Sequence, residues 1–165
     1  MSEEAQLKEK VRVGTIIPFF NLPSARGGNV RTWDYKQRKH LALYFFGRAV
    51  CVECRKVLKE FTENYDNYRR LNAEVLAVGI DDLSELTKLV DELDLPFPVL
   101  SDATGEVTNK YTYINPETNL PNPSIFLADK FGSLEEEWIV TSEDELPGQD
   151  ELLSILQLFE LRCPE

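Results

Sequence analysis

LALYFFGRAVCVECRKVLKEF, residues Leu41–Phe61, is the stretch whose reading decides the fold. Its first six residues, Leu41 to Phe46, form a short aromatic apolar run of the kind that makes a buried strand. Gly47 breaks the run, and Cys51-Val-Glu-Cys54 follows. Val57, Leu58, Phe61, Tyr65 and Tyr68 then recur at helical spacing, while Lys56, Lys59, Glu60, Glu63 and Asn67 fall largely off that stripe. The order is therefore strand, short loop, two cysteines, amphipathic helix. A thiol in the first turn of a helix meets unpaired backbone N–H groups and the positive end of the helix dipole, both of which favour thiolate. A second cysteine three residues on lies on the same face, close enough to close a small disulfide.

The rest of the composition bounds what this pair can be for. A chain of 165 residues is about one domain and can bury a core without disulfide staples. Three cysteines cannot form a paired framework, so the two close ones read as reactive. Residues 1–10 carry no apolar core and read as a flexible lead-in, with 11–165 as a single domain. No apolar run approaches membrane-spanning length. A cytoplasmic protein without a membrane partner is expected. The net charge of −11, with acids dense in Leu134–Glu151, argues against nucleic acid, whose phosphates it would repel. The acidity is read as a solubility feature.

Outward from the cysteine stretch, strands and helices alternate. Val11–Arg31 is broken by Gly14, Pro18, Pro23 and Gly27-Gly28, which predicts an edge hairpin, and Thr32–Tyr35 a helical turn. Downstream, Glu74–Ile80 reads as a second buried strand, with Asp81-Asp82 capping a helix marked by Leu83, Leu86, Leu89, Val90 and Leu93. Phe97–Leu100 is a short strand, Thr104–Tyr113 a short helix and Asn115–Pro123 a loop with three prolines. Ser124–Asp129 and Leu134–Val140 form a hairpin around the Lys130-Phe-Gly132 turn. Leu152, Leu153, Ile155, Leu156, Phe159 and Leu161 close the chain as a packed helix. The class is α/β, a mixed sheet covered on both faces, with an N-terminal β-hairpin extension. Tyr44, Phe45, Phe46, Phe61 and Trp33 are core candidates by spacing, and His40 is read as a surface residue rather than a base. No phosphate-binding glycine loop or dinucleotide fingerprint occurs, and no cofactor is implied.

Cys51 and Cys54 could be a structural pair, half a zinc site or a redox dithiol. Zinc normally takes four Cys, His or acidic ligands; with no second CxxC or His pair, only Cys163 and His40 remain to complete a site, so no metal is expected. Cys51, at the helix start, is the exposed nucleophile and Cys54, one turn in, the resolving thiol. Glu53 opposes ionisation of the neighbouring thiol while Arg48 and Arg55 favour it, which points to a modestly acidic thiol and a rather reducing couple. Alternatively, Glu53 only stabilises the helix dipole from the first turn. Cys163 follows the last helix and is expected as an exposed thiol remote from Cys51.

With these pieces in order, the chain resembles the thioredoxin superfamily, specifically the redoxin branch of alkyl hydroperoxide reductases and thiol-specific antioxidants. The features that carry this are the Gly14…Pro18-Phe19…Leu22-Pro23 opening, the strand–CxxC–helix, the Glu74–Asp81 segment EVLAVGID, and Pro123–Gly132. The resemblance implies a thioredoxin fold and a cis-proline at Pro123 facing the cysteines, a bond affordable only before proline. It also implies that the N–H and carbonyl of Asn122 are free to pair with a substrate backbone. Val50 stands where thioredoxins place a tryptophan, and Phe45 where they place a buried acid. In the register that aligns the peroxidatic cysteine of peroxiredoxins with Cys54, their proline, threonine and arginine positions hold Gly47, Cys51 and Pro123. The resemblance thus implies a thiol–disulfide oxidoreductase. A peroxiredoxin-like thiol peroxidase is the alternative, and a non-catalytic redox-responsive module a third reading. The partners implied are a protein or small-molecule disulfide, or a hydroperoxide, and a thiol reductant such as a thioredoxin system, acting on a monomer or homodimer.

Overall fold

The computed structural model describes residues 7–162. The hairpin of β1 (Asn21–Pro23) and β2 (Asn29–Arg31) forms a small antiparallel sheet of its own. A 3-10 turn at Thr32–Tyr35 leads into β3 (His40–Phe45). There follow α1 (Val52–Glu63), α2 (Tyr65–Arg70), β4 (Ala73–Gly79), α3 (Leu83–Leu93), β5 (Val99–Ser101), α4 (Glu106–Tyr111), β6 (Ser124–Ala128), β7 (Leu134–Ile139) and α5 (Gln149–Arg162). The main sheet has the order β5-β4-β3-β6-β7. β3, β4 and β5 are parallel, and β6 and β7 run antiparallel to their neighbours.

Side-chain alternation sorts β3 onto two cores. Ala42, Tyr44 and Phe46 join α1, α2, α3 and α5 on one face, through Leu58, Phe61, Tyr68, Leu86, Leu152 and Phe159. Leu41, Leu43 and Phe45 join α4 and the N-terminal segment on the other, through Tyr111, Phe20 and Ile17. Every residue of β3 is buried, as expected for a central strand covered on both sides.

Several sequence expectations change in detail. The cysteine helix is two helices, because Asn64 leaves helical geometry at φ −107° and ψ 6°. The Asn64 side-chain amide donates to the Glu60 carbonyl, which supports the break. Trp33 is not core: it is 47% exposed, stacked on Phe19 with centroids 5.8 Å apart, because the 3-10 turn buries Thr32 in its stead. Leu161, expected on the packed face of α5, is exposed, since Leu152, Leu156 and Phe159 already fill that face. His40 is fully buried, not at the surface. The closing helix reaches down to the start of β3, so His40 Nε2 meets Glu160 Oε1 at 2.8 Å and its ring packs edge-on against Phe159. Residues 7–10 are anchored: the Leu7 N–H donates to the Ile139 carbonyl, and Lys10 Nζ to the Asn109 carbonyl. Residues 1–6 and Cys163 lie outside the described residues.

Candidate functional site

Two elements deliver the cysteines. β3 ends at Phe45, and the loop from Phe46 to Val50 turns the chain into α1 with Cys51 as its N-cap. The Cys54 N–H donates to Cys51 Sγ at 3.1 Å, so the sulfur satisfies one of the helix's unpaired donors. Cys51 and Cys54 are joined as a disulfide, their Cα atoms 5.2 Å apart. Cys51 is half-buried, whereas Cys54 is 2% exposed.

The loop is tied down by the same charges that are expected to tune the thiol. Arg48 Nη1 donates to Asp81 Oδ1 at 2.9 Å, and the other oxygen of Asp81 accepts from the Ala49 N–H at 2.7 Å. Arg55 Nε donates to the Ala49 carbonyl at 2.6 Å, and its Nη2 to Glu92 Oε1 at 2.8 Å. Both guanidinium groups are therefore paired with a carboxylate, and both help to fix the loop. Asp81 serves that loop, while Asp82 alone caps α3 by accepting from the Glu85 N–H. Glu53 is exposed beside the pair.

Opposite the cysteines lies the Asn115–Pro123 loop. Gly47, Val50, Cys51 and Cys54 line one wall of a cleft of about 430 Å³, and Leu120, Pro121 and Pro123 line another. Pro123 therefore faces the disulfide, but the bond before it is trans, with no cis peptide among the described residues. Nor is the backbone of Asn122 free. Its N–H donates to the Tyr113 carbonyl at 2.8 Å, and its carbonyl accepts from Ser124 Oγ at 2.9 Å. Its side-chain amide donates to the Val140 carbonyl at 3.0 Å. These bonds hold the segment in place with the trans isomer that X–Pro bonds ordinarily prefer, and they consume the groups expected to dock a substrate backbone.

The residue that sequence reasoning missed is Glu143. It lies in the link from β7 to α5, and its Oε2 sits 3.2 Å from Cys54 Sγ. The Tyr44 hydroxyl donates to the same oxygen at 3.4 Å. Burial raises the Glu143 carboxyl above the ordinary carboxylate range, and the charges of Glu53 and Asp144 add to that. Burial, together with the same carboxylate, holds the Tyr44 phenol protonated. In the sequence Glu143 is one acid in an acid-rich run, 89 positions from Cys54. Only the fold marks it.

A dithiol at a helix N-terminus, closed as a disulfide and facing a proline-lined loop, meets its relatives here. The AhpC/TSA family model matches residues 13–137. The chain belongs to the AhpC/TSA family. It is 31% identical over 131 residues to the thiol-disulfide oxidoreductase ResA of Bacillus thuringiensis subsp. konkukian, covering 79% of this chain and 71% of that protein. It is 27% identical over 109 residues to peroxiredoxin bcp1 of Schizosaccharomyces pombe, covering 66% and 56%. Among solved structures, peroxidoxin BcpB of Mycobacterium tuberculosis superposes with a TM-score of 0.79 at 20% identity, covering 90% of this chain and 97% of that one. That likeness supports the thioredoxin-like fold. With a Cys51–Cys54 redox dithiol, this family member is an oxidoreductase that works on thiol or peroxide substrates.

Proposed function

We propose that the chain is a cytoplasmic thiol–disulfide oxidoreductase that reduces a protein or small-molecule disulfide. The observation that carries this is the asymmetric pair: Cys51 half-exposed at the cleft, Cys54 buried behind it against Glu143. In the reduced state the Cys51 thiolate attacks one sulfur of the substrate disulfide. That S–S bond breaks, the distal sulfur leaves as a thiolate and takes a proton from solvent, and a mixed disulfide remains on Cys51. Cys54 then gives its proton to the Glu143 carboxylate and attacks Cys51 Sγ. The second substrate thiolate departs and the Cys51–Cys54 disulfide closes. Two electrons have passed to the substrate, and a thiol reductant such as a thioredoxin system restores the dithiol. A carboxyl raised by burial is a better match to this proton transfer than an ordinary one, because general bases work best with pKa values near the working pH.

The peroxidase reading is favoured by one observation, the likeness to a peroxiredoxin. Against it stands the lining of the cleft. The positions that peroxiredoxins use to orient peroxide hold Gly47, Cys51 and Pro123, and the one arginine there, Arg48, is bound to Asp81. Oriented polar groups supply much of the rate enhancement in such reactions. The cytoplasmic location rests on cysteine usage, a reactive pair rather than a disulfide framework. The test is turnover: with a thioredoxin system, the chain is expected to reduce a model protein disulfide in many cycles and to consume hydrogen peroxide only slowly. Fast peroxide consumption with little disulfide reduction would reverse the two readings, and no turnover of either would support a redox-responsive module.

A further inference from the structure

We infer that the reduced protein is a site for a thiophilic divalent cation, zinc being the representative, held by Cys51, Cys54 and Glu143. Counting cysteines and histidines finds only two neighbouring ligands in this sequence, yet the fold supplies a third. One ligand atom from each of the three residues lies within 4.8 Å of the others. Cys-x-x-Cys is the chelate spacing of structural zinc sites, and carboxylate oxygen is an accepted zinc ligand. When the disulfide opens, the two sulfurs need to separate to only about 3.8 Å to share one tetrahedral ion with zinc–sulfur bonds of about 2.3 Å. The Glu143 oxygen already stands 3.2 Å from Cys54 Sγ, near the spacing of two ligands on one ion. Tyr44 orients that carboxylate through its hydroxyl, as outer partners of metal ligands do. The cleft leaves the fourth position open to water.

The charges favour it too. Two thiolates and a carboxylate, with Cys54 buried and the other two residues half-buried, repel one another, and a divalent cation offsets that repulsion. Binding balances simply: both thiols lose their protons to buffer as the two S–metal bonds form. A disulfide oxidant then reverses it, taking two electrons from the thiolates, closing Cys51–Cys54 and releasing the ion. The ion and the disulfide are thus alternative states of one pair. Ion occupancy blocks thiol–disulfide exchange, and oxidation expels the ion.

The experiment uses the full chain carrying Cys163→Ser, so that the remaining cysteine contributes nothing. The reduced protein is titrated with zinc against a chromogenic chelator, and separately with cobalt(II) under argon. The expected result is one ion per chain, a tetrahedral cobalt spectrum with sulfur charge-transfer bands, and no such site in the oxidised protein. Glu143→Gln is expected to weaken zinc binding by at least the roughly tenfold to hundredfold that loss of a mere outer partner costs. Glu53→Gln, which removes the same charge without a ligand atom, is expected to weaken it far less. An octahedral cobalt spectrum in the unmodified site, one ion shared between two chains, equal binding by the oxidised form, or equal effects of the two glutamate variants would each overturn the assignment. Because binding is read directly, a failure of disulfide turnover leaves this outcome unaffected.

Discussion

At the scale of single residues, two half-buried glutamates carry opposite meanings. Glu143 touches a reacting sulfur, and its raised carboxyl suits a proton acceptor. Glu143→Gln should leave the attack by Cys51 nearly intact and slow the resolving step by on the order of a hundredfold near neutral pH. The mixed disulfide would then accumulate in a quenched time course, and the defect would shrink at alkaline pH, where Cys54 ionises unaided. A loss spread evenly over both steps and all pH values would mark Glu143 as merely structural. Glu137, on β7, has both carboxylate oxygens buried without a hydrogen-bond partner among the described residues. Burial, and secondarily Glu9, push its carboxyl up to about 7. A folded pKa raised above the unfolded one gives stability that is present below about 4.5 and is lost as pH rises toward 7. Glu137→Gln should therefore raise the melting temperature at pH 8 more than at pH 5, by about 2–4 °C for each kcal/mol recovered. An equal shift at both values would contradict the assignment.

At the scale of elements, the sheet, α3 and the start of the cysteine loop meet at one close crossing. Gly79 ends β4 under Phe46, and a Cβ built there would stand 2.8 Å from Phe46 Cζ and 3.2 Å from Leu86 Cδ2. Phe46 opens the loop that carries Cys51, so Gly79→Ala should strain both the core and the site. Chemical denaturation should show a loss of about 1–3 kcal/mol, the usual cost of overpacking, whereas a neutral effect would mean that Phe46 moves freely. This crossing also shows what was legible. β3 and α1 could be read because the apolar period switches from continuous to helical across Gly47, and that switch is local. The break at Asn64 was hidden, since Tyr65 and Tyr68 keep the phase of the stripe on both sides of it. Trp33 and His40 misled for a related reason. Burial at an element's end depends on what covers it, here Phe19 beside one and α5 over the other.

At the scale of the molecule, the five-stranded sheet separates two ends of β3. One carries the disulfide cleft, and the other His40 beneath α5. The candidate site draws on β3, α1, the Asn115–Pro123 loop and the β7–α5 link. The two cysteines were legible because four adjacent residues hold them, and Pro123 because it leads a strand. Its trans bond and the internal pairing of Asn122 were not, because they depend on Tyr113, Ser124 and Val140 arriving from other elements. Glu143 required the whole topology. The measurement that tests the central claim most directly uses Cys54→Ser, which keeps the nucleophile and removes the resolving thiol. Mixed with an oxidised protein substrate, it should stall as a covalent mixed disulfide on Cys51, visible on a non-reducing gel and released by reductant. Failure to trap any disulfide partner, with Cys51 instead captured as a sulfenic acid by dimedone after stoichiometric peroxide, would contradict the account.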